Sequence, residues 1–135
     1  MSTPLPSEAR LIEAARLAFS KAYAPYSNFR VGAALLDAEG EIHVGCNVEN
    51  ASFGGTVCAE RNAVAGAVVA GRRALVACAV YTDSPEPTAP CGFCRQVLAE
   101  FAPDLPIVCV TVSGKTWRTT LSDLLPHSFG PDDLG

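Results

Sequence analysis

The stretch "LVACAVYTD" (75–83) constrains the fold most. It is apolar at consecutive positions, so a strand formed there needs cover on both faces. "PIVCVTV" (106–112) makes the same demand. Between them, "CGFCRQVLAEFA" (91–102) has helical length and stops before Pro103. Ahead of the first lies a second helix, from about Val57 to Ala70 and closed by Gly71, and before that "EIHVGCNVE" (41–49) reads as a strand. The order strand–helix–strand–helix–strand implies two crossovers and a parallel core to the sheet. Both helices then start beside the carboxyl ends of strands, where open α/β sheets place their ligands.

The remaining segments complete a single domain over residues 1–135. "RVGAALLD" and "EIHVGCNVE" are joined by the short "AEG", hence an antiparallel hairpin. In the second of these strands Ile42, Val44, Cys46 and Val48 point one way and His43, Gly45, Asn47 and Glu49 the other. From Ser7 to Tyr23 apolar residues recur at helical spacing, with Ser7 as the expected cap and Pro25 as the stop. The tight "SGK" turn predicts an antiparallel last strand, "TWRTTL", and the tail predicts a short helical turn followed by coil. The expected fold is α/β, a mixed five-stranded sheet with a parallel core, an antiparallel first hairpin and an antiparallel last pair, flanked by helices.

Charge and composition narrow the partners. The net charge is −4, and the ten basic residues form no cluster. A nucleic-acid partner would want an electropositive footprint, so a small molecule is the expected ligand. No apolar run approaches the ~20 residues that cross a bilayer, and the chain opens without a charged-then-apolar leader. A cytoplasmic protein without membrane contact is expected. In a reducing compartment its six cysteines would be ligands, nucleophiles or small buried groups rather than disulfides.

Cys91 and Cys94 open one helix, and Cys58 opens the other, two residues before Glu60. Taken alone, Cys-x-x-Cys is a redox couple, half of a structural zinc site, or part of a catalytic metal centre. The redox reading leaves the other helix start unexplained. Three sulfurs converging from two helix N-termini, where the dipoles favour thiolate charge, suit a tetrahedral metal with its fourth position open. Cys46 lies on the apolar strand face, and Cys78 and Cys109 lie inside apolar strands, as small buried hydrophobes do. His43 and His127 have no ligand-like spacing and are expected as ordinary exposed histidines. Glu60, beside the open position, can take a proton from a water activated there and pass it on.

"CAERNA" followed by "PCGFCRQVLAEF" resembles the cytidine deaminases that act on free nucleosides, a zinc-site type with three cysteines and a non-ligand glutamate. "PYSNFRVGAALLD", "GCNVENASF" and "DLLPHSFGPDDL" are similar to family segments in the family order, so the resemblance covers nearly the whole chain. It implies one zinc ion per subunit held by Cys58, Cys91 and Cys94, with Glu60 as the proton shuttle. Asn47 and Glu49 match the ribose-binding pair, Phe29 an aromatic beside the pyrimidine, and the backbone of Ala59 a contact to the base. Phe129 would reach a neighbouring subunit's site, and Arg61 would return positive charge to the sulfurs. A cysteine as first ligand is similar to the short, homotetrameric class; Phe53 stands where the family usually has a tyrosine. "AVAGAVVAG", apolar on every side of its helix, also favours a homo-oligomer.

The implied activity is hydrolytic deamination of cytidine and 2'-deoxycytidine to the uridines with release of ammonia, in pyrimidine salvage. Three alternatives make different demands. A dithiol oxidoreductase would work without metal and without Cys58. A zinc-stapled binding module would need a fourth protein ligand. A deaminase of polynucleotides would need basic patches.

Overall fold

The computed structural model describes residues 3–134. Its element order is α1 (Glu8–Phe19), β1 (Val31–Asp37), β2 (Ile42–Cys46), α2 (Ala59–Val69), β3 (Leu75–Thr82), α3 (Gly92–Phe101), β4 (Pro106–Thr111), β5 (Thr116–Thr120) and α4 (Leu121–Leu124). The strands form one sheet in the order β2-β1-β3-β4-β5. The hairpin and the last pair are antiparallel, as the short turns require. The parallel part is the single pair β3–β4; β1 lies antiparallel between β2 and β3. The connection through α2 therefore passes over a strand. The reason is local: "VGAALLD" buries six of its seven residues and needs neighbours on both edges, whereas the alternating β2 tolerates an edge.

Alternation sorts the core into two layers. Ala77, Ala79 and Tyr81 of β3 face α1 with Leu11, Ala15 and Phe19; Cys78 and Val80 face α2 and α3 with Ala63, Ala67 and Leu98. Cys78 and Cys109 are buried apolar groups, as expected. No helix among the described residues is long and apolar enough to cross a membrane.

Three local expectations change. The first helix ends at Phe19, before Pro25, and Ser7 makes no capping bond with its side chain; its backbone is left-handed at φ 52°. Instead the Glu8 carboxylate accepts from the Leu5 amide at 3.1 Å and takes the Arg118 guanidinium in two bonds of 2.7 Å, tying α1 to β5. His43 is not an exposed histidine: its Nε2 lies 2.8 Å from Asp37, and its side chain is largely buried. That carboxylate also accepts the Glu39 and Glu41 amides and faces Arg72, so it staples the hairpin turn to the end of α2.

The third concerns β2. Its polar face, His43–Gly45–Asn47, is the inward one, while Val44 on the apolar face stays 51% exposed. Gly45 is the cause. A Cβ there would stand 2.3 Å from the Ala59 carbonyl and 2.5 Å from the Ala63 nitrogen, so only glycine lets α2 lie this close. Asn62 fixes the contact by donating to the Cys46 carbonyl at 2.8 Å.

Gly45→Ala should therefore push the first turns of α2 off the sheet. The expected cost is about 1–3 kcal/mol, a melting temperature lower by roughly 5–10 °C, and a smaller bound-metal fraction, since Cys58 immediately precedes that helix. Calorimetry with metal analysis checks both; a variant as stable as the native chain would show that α2 is not pinned here. Glu8 is held below its ordinary value of 4.5, chiefly by the hydrogen bonds from Arg118. Its contribution is present above 4.5 and lost as the pH falls through the depressed value. Glu8→Gln should thus lower stability at pH 7, and denaturant titrations at successively lower pH should find the gap narrowing below 4.5. A gap unchanged in acid would assign the loss to packing.

Candidate metal centre and substrate pocket

Cys58 and Cys91 are the residues immediately before α2 and α3, with extended backbones, and neither side chain caps its own helix. Serine or aspartate in such a position would bond back to the first amides. The sulfurs instead turn toward each other, in front of two positive helix ends. Cys58 Sγ and Cys91 Sγ are 3.9 Å apart, Cys91 Sγ and Cys94 Sγ 3.5 Å, and all three sulfurs lie within 4.8 Å of one another. A disulfide needs about 2.05 Å, so these are not bonded pairs. Three sulfurs each at about 2.3 Å from one tetrahedral zinc stand about 3.8 Å apart. The observed spacings fit that ion. Cys46, Cys78 and Cys109 do not join the group.

The three sulfurs share charge unevenly. Cys58 is held down at about 5, first by a hydrogen bond from the Cys94 thiol, then, against the effect of burial, by Arg61 and Cys91. Cys94 is pushed up by that same bond, by burial and by the charge of Glu60. The Arg61 guanidinium donates to Cys58 Sγ at 3.8 Å and to the Thr56 carbonyl at 3.3 Å.

Glu60 is only 5% exposed. Burial raises its carboxyl to about 7, its own backbone amide works the other way, and the Cys58 charge adds to the rise. A carboxyl poised there exchanges protons in both directions near neutral pH. It opens onto a cavity of about 270 Å³ that Cys58 and Cys91 also line. The cavity lies at the sheet edge where β2 and β3 end and β1 begins, with Asn47, Glu49, Val80, Thr82 and Val31 in its wall.

The segment beyond β2 is held in line by Tyr23, whose amide donates to the Asn47 carbonyl at 3.0 Å and whose carbonyl accepts from the Glu49 amide at 2.8 Å. Asn47 is clamped: its Nδ2 donates to the Phe29 carbonyl at 2.7 Å and its Oδ1 accepts from the Val31 amide at 2.9 Å. Glu49 accepts the amides of Tyr26 at 2.9 Å and Ser27 at 3.1 Å, and the Ser27 hydroxyl as well. Those bonds, the hydroxyl's first, keep it below the usual carboxylate range. Both side chains thus fix the 26–31 segment that carries Phe29 into the cavity wall.

The structure brings Cys58, Cys91, Glu60, Asn47, Glu49 and Phe29 to one cavity, with Cys94 buried behind it in the sulfur cluster. Ala59 is buried between Cys58 and Glu60 and presents no side chain to it. Phe53 is 75% exposed and packs edge-on to Tyr26, ring centroids 6.0 Å apart, outside the cavity. Phe129 is also outside, its carbonyl taking a bond from Gln96 at 2.8 Å. Sequence reasoning missed Ser27, Thr56, Thr82 and Thr88 in the wall. Small hydroxyl residues near strand ends carry no periodic signal, and only their neighbours mark them.

Known proteins share this build. The family model for the cytidine and deoxycytidylate deaminase zinc-binding region matches residues 6–111. A cytidine deaminase from Halalkalibacterium halodurans is 47% identical over 125 residues, 92% of this chain and 95% of that protein. One from Sporosarcina psychrophila is 45% identical over 126 residues, 93% of each. The crystal structure of the Burkholderia pseudomallei cytidine deaminase superposes with a TM-score of 0.87 at 50% identity, covering 90% of this chain and 98% of that one. With its three sulfurs at zinc spacing and a buried carboxylate beside them, the chain belongs to the cytidine and deoxycytidylate deaminase family.

Proposed function

We infer that this chain is a zinc-dependent hydrolase that converts cytidine to uridine and ammonia, and 2'-deoxycytidine to 2'-deoxyuridine. The observation that carries this is the buried Glu60 carboxyl beside three sulfurs at tetrahedral spacing, on a cavity sized for a small molecule. Cys58, Cys91 and Cys94 would hold the zinc ion, which would supply the Lewis acidity that activates a water. The rest falls to side chains. Glu60 accepts the proton of that water as its oxygen adds to C4 of the base, and delivers it to N3. It then takes the remaining proton from the hydroxyl added at C4 and delivers it to the C4 amino group; the C–N bond breaks, C4 becomes a carbonyl, and ammonia leaves.

Binding and orientation follow from spare hydrogen-bonding capacity. An ionised carboxylate offers about four acceptor positions. Glu49 has three filled by the 26–27 segment, which leaves one for a sugar hydroxyl. Asn47 keeps one N–H and one lone pair beyond its two clamping bonds and serves the same ribose. Phe29 packs on the pyrimidine, and the free amide of Ala59 in the first turn of α2 meets the base. Arg61 offsets sulfur charge.

The working unit is a homotetramer in the cytoplasm, with a role in pyrimidine salvage. Exposed apolar groups support the assembly: Val69 on α2 and the rings of Phe53 and Phe129 stand in solvent on a single chain. In the assembly Phe129 completes a neighbour's cavity, and Phe53 meets it without the hydroxyl of a tyrosine. The six unpaired cysteines support a reducing compartment.

Glu60→Gln should keep one zinc per chain and release ammonia from cytidine roughly 10²–10⁴ times more slowly. Metal analysis and the ultraviolet change from cytidine to uridine read the two separately, and full activity in that variant removes Glu60 from the reaction. Stripping the metal with a chelator should abolish turnover and added zinc should restore it. Persistent deamination in a metal-free sample would remove zinc from the reaction.

A further inference from the structure

Phe93 stands between two cysteines of the centre, is 65% exposed, and does not line the cavity. A ring left this open is explained by what it touches. The Cζ atom of Arg61 lies 4.2 Å from its centroid, well inside the ~6 Å range of a cation–π contact. Arg61 sits in the first turn of α2 and Phe93 in the first turn of α3, so the pair bridges the two helices that carry the sulfurs. The guanidinium donates to Cys58 Sγ at 3.8 Å and to the Thr56 carbonyl at 3.3 Å through one terminal nitrogen. Its Nε is buried with no hydrogen-bond partner among the described residues. Two long bonds from one nitrogen do not fix a side chain with this much rotamer freedom. The ring supplies the missing constraint.

Charge gives that constraint a purpose. Three thiolates and one zinc ion sum to −1, and a cation at 3.8 Å from one sulfur stabilises the loaded centre. We propose that Phe93 is a positioning residue, whose ring holds the Arg61 guanidinium against the Cys58 thiolate and so sets how firmly the centre keeps its metal. The proposal rests on the zinc site of the preceding section and concerns residues that do not touch the substrate.

Phe93→Leu keeps the apolar bulk and removes the aromatic face, at a surface position where the fold tolerates it. Zinc-loaded protein mixed with the chromogenic chelator pyridylazoresorcinol should then release its metal about 2–5 times faster than the native chain, with Phe93→Tyr and Phe93→Trp restoring the native rate. With cobalt(II) in place of zinc, the sulfur-to-metal charge-transfer band of Phe93→Leu should move to lower energy, because a sulfur without its donor holds its electrons less tightly. In an Arg61→Ala background, Phe93→Leu should change neither quantity further. Native release and spectrum in Phe93→Leu, or an equal loss in the Arg61→Ala background, would overturn the proposal. Both readouts need only bound metal, so a protein that holds zinc but fails to deaminate would refute the proposed function and leave this test standing. A native chain that takes up no zinc would overturn both.

Discussion

The packing of α2 on β2 at Gly45 is the constraint on which the site depends. A carbonyl oxygen 2.3 Å from where a Cβ would stand leaves room for a hydrogen atom and nothing larger. That approach sets the height of the first turn of α2 above the sheet. It thereby places Cys58 at the level of Cys91, which a different helix delivers after a different strand. The sulfurs meet because two helices are seated at matching depth, and one of them is seated by a glycine. Gly32 plays the corresponding part on the opposite face, where a Cβ would stand 2.0 Å from the Ala15 carbonyl of α1.

Around that geometry the site divides its electrostatic tasks. Cys58 is held down by its hydrogen bond with Cys94 and by Arg61, while Glu60 sits deeper, where burial favours its protonated form. Two acidic groups two residues apart are thus driven in opposite directions by their surroundings. One is suited to hold a metal and the other to exchange protons. Buried thiols behind them follow the second pattern without the chemistry: Cys109 is pushed up to about 12 by burial and by the charge of Glu60, and stays an inert part of the core.

Much of this was legible in the chain. The strands announced themselves by alternation or by unbroken apolar runs, and Gly71, with φ 82°, closes α2 where a left-handed residue was expected. Cys58, Cys91, Cys94 and Glu60 were recognisable from type and spacing, and the tight turn after β4 did yield an antiparallel last pair. Other features had no local signal. Ser7 looked like a cap, yet the first helix is closed by Glu8 reaching Leu5 and Arg118, the latter 110 residues away. His43 has no local signal of burial; Asp37, 2.8 Å from it, holds it in place.

What the sequence determined by itself was the inventory: which segments are strands or helices, and which side chains are chemically able to bind zinc and move protons. These follow from spacing within a few residues, because strand and helix periods repeat over that range. The tertiary structure alone decided that β1 would part β2 from β3, and that the polar face of β2 would turn inward. It also decided that Phe93 would lie over Arg61 and that Asn47 would clamp the Phe29 segment. Each of these is a contact between segments far apart in the chain. Its sign depends on how closely two backbones approach, and the identity of either residue alone does not encode that distance.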